Sequence, residues 1–158
     1  MSDRQSKVVS CAKSHLGSGD WGVMTVRKSA DGKVQFNIGE PKCNLFVYEM
    51  LISGGVGQDL PNKAGFLGGI FNKLKDRPYT ASQWHNGEVP KMKLVGSGID
   101  GLNKCWPGDI ITDGSHLGII SGPQKTISAS ANTNTIVENN WGWRKENYSN
   151  VKIFRYHP

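Results

Sequence analysis

The sequence predicts an α+β fold, with helices in the N-terminal part and an antiparallel sheet after them. Two patterns carry this reading. Residues 43–52, Cys-Asn-Leu-Phe-Val-Tyr-Glu-Met-Leu-Ile, form a strongly apolar, helix-compatible run behind the turn-prone lead Gly39-Glu40-Pro41-Lys42. From residue 107 the pattern changes to short strands, at 109–112, 116–121, 125–131, 135–138 and 151–156. Asp113-Gly114, Gly122-Pro123 and an Asn-rich stretch divide them. Such an order suits one sheet packed on the central helix. A chain of 158 residues is long enough for one real core and short for two, so residues 1–158 read as a single domain.

Taken in order, residues 6–16 place Val8, Val9, Ala12 and Leu16 at roughly helical spacing, and Gly17 supplies a stop. Trp21 follows in a Ser-Gly-Asp-Trp-Gly loop as a core or cleft-wall aromatic. Residues 23–27 and 33–38 predict a hairpin around Asp31-Gly32, with Val34, Phe36 and Ile38 on one side. Pro41 disfavours helix at Glu40, which starts the central helix close to Cys43. Leu45, Phe46, Met50, Leu51 and Ile52 cover too much of its circumference for a surface helix, so burial is expected. Ser53-Gly54-Gly55 ends it. Residues 54–105 read as glycine-rich and irregular, with short helices at 66–71 and 79–85, a connection long enough to shape a cleft.

A hydrophobic content of 37% and a mean hydropathy of −0.44 indicate a globular chain. No apolar run approaches the roughly 20 residues of a membrane span, so no membrane insertion is expected. The opening Met1-Ser2-Asp3-Arg4-Gln5-Ser6-Lys7 precedes no apolar segment of the kind that directs Sec-type export. The net charge is +6, but the 19 basic residues are scattered without a run of five. That favours a solvated basic surface over a nucleic-acid partner. Cys11, Cys43 and Cys105 make no CxxC pair and no zinc spacing, so neither metal nor cofactor is expected. Whether Cys11 pairs with Cys105 stays open.

The chemistry centres on Cys43. A thiol at a helix N-terminus faces unpaired N–H groups and the positive dipole end, which favour thiolate. A nucleophilic cysteine needs a base, and of the four histidines His116 is the best placed, opening a strand after a Gly-Ser turn. His15 lies near a helix end, His157 is penultimate, and His85 follows Trp84 in a polar stretch. A third polar group must orient the ring. With a three-residue loop at 122–124, Ser121 faces Lys125, and Ser128, Ser130 and Asn132 share the face of His116. A two-residue loop reverses that parity. The Cys43 backbone N–H, with a second donor, would stabilise an oxyanion.

Lys42-Cys43-Asn44-Leu45-Phe46-Val47, Trp106-Pro107-Gly108-Asp109-Ile110-Ile111 and His116-Leu117-Gly118-Ile119-Ile120 together resemble the NlpC-type papain-like cell-wall peptidases. The early helix and Trp21-Gly22 resemble that family's lead-in to its cysteine. The resemblance covers most of the chain in order, loosely over 54–105. It implies a papain-like core and hydrolysis of amide bonds in peptidoglycan stem peptides, with Cys43 as nucleophile and His116 as base. It puts Ser128 where the family usually has His, Asn or Gln, with Asn132 as the substitute orienter. Lys42 stands where the family commonly has aspartate. The Lys-Cys-Asn-Leu-Phe-Val core also resembles amidase effectors of the bacterial type VI secretion system. That implies delivery to a target cell's periplasm and a cognate immunity protein; a phage endolysin fits the same features. The competing readings are a papain-like toxin that deamidates or otherwise modifies host proteins, and a non-enzymatic basic binding module.

Overall fold

The computed structural model describes residues 2–29, 35–56 and 77–158. Its elements follow the expected order, helices first and a six-stranded antiparallel sheet after them. Helix α1 (Asp3–Ser14) begins three residues before the expected start, because Ser2 and Gln5 form a reciprocal capping box that satisfies its first N–H groups. Val8, Val9 and Ala12 are buried as expected, while Leu16 lies past the helix and is exposed. Strands β1 (Arg27–Lys28) and β2 (Gln35–Phe36) pair antiparallel. Phe36 is buried but Ile38 is exposed, since the strand ends at Phe36 and a turn starts at Asn37. Val34 and the Asp31-Gly32 turn lie outside the described residues, as does the helix expected at 66–71.

Helix α2 (Cys43–Ser53) is the centre of the packing. Leu45, Phe46, Val47, Met50 and Leu51 are all buried, and only Ile52 of the expected set is partly exposed. Two polar contacts tie it to the preceding loop. Glu49 is buried and accepts from Trp21 Nε1 at 2.6 Å and from Arg27 at 3.0 Å. Lys42, 1% exposed, has its Nζ within 3.0–3.1 Å of the carbonyl oxygens of Gly22, Glu40 and Asn37. A buried ammonium is tolerated because those three acceptors replace its water.

Helix α3 (Ala81–His85) falls inside the expected 79–85 and is capped by Thr80 and Gln83. Two further elements occupy a region read from sequence as irregular: β3 (Met92–Ser97) and α4 (Gly98–Lys104). β3 hid because it is an edge strand with a register shift between Leu94 and Gly96 and with Leu94 exposed, so it lacks clean alternation. The remaining strands are β4 (Ile110–Thr112), β5 (Leu117–Gly122), β6 (Lys125–Ala129), β7 (Ile136–Asn139) and β8 (Lys152–Tyr156). Their order is β3-β8-β4-β5-β6-β7. Ile110, Leu117, Ile119, Ile127 and Phe154 face α1 and α2, whereas Ile111, Ile120 and Ile153 face Leu102, Val151 and the tryptophans of the 3-10 turn Trp141–Trp143.

The β5–β6 turn differs from the three-residue loop expected at 122–124. Gly122 pairs with Lys125 across a two-residue turn, Pro123-Gln124, with Gln124 at φ +52. The register then shifts by one residue, so that Ile120 pairs with Thr126 and Ile119 with Ile127. The bulge restores the parity that the shorter turn would have reversed, and Ser128 does share the face of His116.

Asp109, fully buried at the entrance to β4, anchors the sheet. It accepts from Arg155 Nε at 2.8 Å and Nη2 at 2.7 Å, from Gln5 Nε2 at 3.1 Å and from the Trp106 N–H at 2.7 Å. Arg155 also stacks on Trp106, 4.0 Å from the ring centre. Removing the guanidinium leaves a buried carboxylate short of its charge partner. Arg155→Met is therefore expected to cost about 3 kcal/mol of stability, measured by urea unfolding, and an unchanged midpoint would show that Gln5 and Trp106 suffice.

Candidate active site

Three elements converge at one end of the sheet. The N-terminus of α2 brings Cys43, the turn before β5 brings His116, and the C-terminal end of β6 brings Ser128. Cys43 and His116 both line a cavity of about 170 Å³, with Trp21 and Ala129 in its wall. Among the described residues no hydrogen bond joins sulfur to ring, an openness common in unliganded catalytic pairs. His116 Nε2 lies 3.0 Å from Ser128 Oγ. In the tautomer with the proton on Nε2, the hydroxyl accepts it and Nδ1 is left to take a thiol proton. Gly118 lets β6 lie close against β5 beside Ser128. A Cβ there would stand 2.5 Å from Thr126 Cγ2 and 3.3 Å from Ser128 Cβ.

Of the two residues weighed for the orienting position, Ser128 meets the ring. Asn132 lies in the turn after β6, exposed, on the wall of a neighbouring cavity that His116 and Ser128 also line. His85 does not reach the thiol cavity. Its ring packs 3.5 Å from the Cβ position of Gly114, beneath the turn that carries His116. Cys11 and Cys105 are free and half-buried, and they pack against the two different apolar clusters. Burial pushes the Cys105 thiol up to about 11. Among the described residues no three of His, Cys, Asp and Glu stand together as a metal site.

The electrostatics differ from the sequence expectation. Burial pushes the Cys43 thiol above its ordinary 9.0, and the N–H groups of Leu117, Asn44 and Cys43 oppose that without overcoming it. The negative charge of Asp113 acts in the same direction as burial. Burial also lowers His116 from 6.5, with Asp113 pulling it back up. The resting pair is therefore a neutral thiol beside a neutral imidazole. The helix terminus does present N–H groups to the sulfur, since Lys42 gives α2 no side-chain cap, but a desolvated anion costs more than they return.

Sequence reading treated Asp113-Gly114 only as a divider. In the structure one oxygen of Asp113 accepts from the Ser115 N–H (2.8 Å), the Ser115 hydroxyl (2.9 Å) and the His116 N–H (2.8 Å). Burial pushes this carboxyl up, yet those donors and the His116 charge outweigh it and hold Asp113 below its ordinary 3.8. The Asp-Gly-Ser-His spacing of an Asx turn was the available signal. Trp141 was also legible only as an aromatic. It meets the His116 ring edge-on at 4.9 Å and keeps it from swinging away from the sheet.

Proton NMR of the His116 ring should give a midpoint below 6.5. Asp113→Asn should lower it further, because the variant removes the anion that favours imidazolium while burial remains. A midpoint at or above 6.5 in the wild type would contradict the neutral-pair description.

Comparison with models of protein families, with curated proteins and with solved structures finds no match to this chain.

Proposed function

We propose that this chain is a cysteine amidase of the papain-like, NlpC-type class, acting on an amide bond of peptidoglycan stem peptides. The observation that carries the reading is that His116, whose ring contacts Ser128, lines the same cavity as Cys43. A ring held by one nitrogen, beside a cavity that a thiol also lines, suits nucleophilic acyl transfer. The order of the cysteine, Pro-Gly-Asp and His-Leu-Gly-Ile motifs supports the class and its cell-wall substrate.

The neutral resting pair sets the sequence of steps. His116 Nδ1 takes the thiol proton as sulfur attacks the carbonyl carbon, so no preformed thiolate is required. Negative charge gathers on the carbonyl oxygen, where the N–H groups at the start of α2 face it. The imidazolium passes its proton to the amine nitrogen as the C–N bond breaks, leaving a thioester on Cys43. Water, deprotonated by His116, then releases the acid and restores the thiol. Ser128 orients the ring but adds no charge; among the described residues Asp113 is the anion that favours the imidazolium. Lys42 and Asp109, both within the motifs, support structure: their charged atoms are held by backbone carbonyls and by Arg155.

The same reading assigns the protein to the amidase effectors that a type VI secretion system delivers into a rival's periplasm, with an immunity protein covering the cleft in the producer.

Cys43→Ala should cut the release of new amines from purified sacculi by about a thousandfold or more, with its thermal unfolding intact. Full release by that variant would end the amidase reading. Ser128→Ala should lose about tenfold in kcat, the worth of one orienting hydrogen bond. The acid limb of the wild-type rate profile should fall below pH 6.5, since protonation of His116 removes the base.

A further inference from the structure

Two cavities flank the thiol–imidazole pair, and they differ in charge. On the cysteine side a cavity of about 320 Å³ is lined by Cys43, Asn44, Glu40 and Arg77. Its arginine is already neutralised, with Arg77 Nη1 3.1 Å from Glu40 Oε1 and the guanidinium over the Phe36 ring at 4.7 Å. On the histidine side a cavity of about 220 Å³ is lined by His116, Ser128, Asn132, Asn139, Trp141 and Arg144, and among the described residues no acidic side chain borders it.

Arg144 is held in place without being neutralised. Its Nε donates to Asn140 Oδ1 at 3.1 Å. Its backbone N–H donates to the Trp141 carbonyl, and its own carbonyl accepts from Asn147 and Tyr148. Among the described residues no carboxylate pairs with it and no hydrogen bond engages its two terminal guanidinium nitrogens, and the residue lines the cavity. A planar guanidinium fixed through Nε presents an edge that matches a carboxylate.

The chemistry gives the two sides their roles. His116 must hand its proton to the departing nitrogen, so the amine half of the substrate lies on the imidazole's side and the acyl half on the side of Asn44. We propose that Arg144 binds a free carboxylate on the amine half, making this an amidase for bonds whose departing amine belongs to an amino acid with an unblocked carboxyl group. This deepens the amidase reading and rests on it for the direction of the substrate. Asn132 and Asn139, uncharged on the same wall, suit the polar groups around such a carboxylate.

Two matched peptides test it, identical except that the residue supplying the departing amine ends in a carboxylate or in a carboxamide. Wild-type kcat/KM should favour the carboxylate by roughly tenfold or more, mostly through KM. Arg144→Gln should bring the ratio close to one, and Arg144→Lys should restore part of it. A wild-type ratio near one, or a ratio that survives Arg144→Gln, overturns the proposal. Calorimetry on Cys43→Ala, with the amine-side product fragment in carboxylate and carboxamide forms, separates this from failure of the amidase reading. If neither peptide is cut but the carboxylate fragment binds more tightly, and only while Arg144 is present, the subsite stands and the amidase reading falls. Equal binding of the two fragments overturns the subsite whatever the activity.

Discussion

The register between β5 and β6 is the constraint on which the rest of the site depends. His116 stands one residue before β5 and Ser128 within β6, so their 3.0 Å contact exists only while both project from the same face. The two-residue turn at Pro123-Gln124 by itself would set them on opposite faces. The one-residue bulge beside it returns them to one face. Gly118, on the same face, leaves room for the Thr126 and Ser128 side chains of β6, which a Cβ there would crowd. A short turn, a bulge and a glycine therefore act as one device.

Seating the cysteine is a separate problem, met from the other face of the sheet. Leu117, Ile119 and Ile127 receive α2 through Phe46 and its apolar neighbours, and the N-terminus of the helix overhangs the sheet end where His116 sits. Lys42 fixes that end by gathering three carbonyls from the incoming loop, with Glu49 joining Trp21 and Arg27 about two turns further on. These buried charges do no chemistry. They hold the loop that leads into Cys43, which sits at the edge of the core and lines the cavity.

Burial that secures the geometry also sets the proton inventory. Desolvation acts on both partners, raising the thiol and lowering the imidazole, so each is more stable uncharged. The N–H groups at the start of α2 are too weak to reverse this; in the proposed reaction they would face the charge on a substrate oxygen. The pair thus suits a mechanism in which proton transfer accompanies attack. Asp113 links geometry and charge, since one carboxylate both closes the turn that presents His116 and favours its protonated form.

Local sequence was enough to place α2 and the five C-terminal strands, and to single out Cys43 and His116, which the fold brings to one cavity. Each of these rests on short-range rules: a proline before a helix, an unbroken apolar run, alternation between turn residues. Edge strand β3 was illegible because its partner, β8, lies far along the chain, and helix α4 packs against both of them. The choice of Ser128 over Asn132 rested on a turn length that local sequence left conditional, and only the bulge decided it. The protonation state was beyond sequence for a related reason. A helix terminus is visible in the residues that form it, but desolvation depends on what the rest of the chain packs over it.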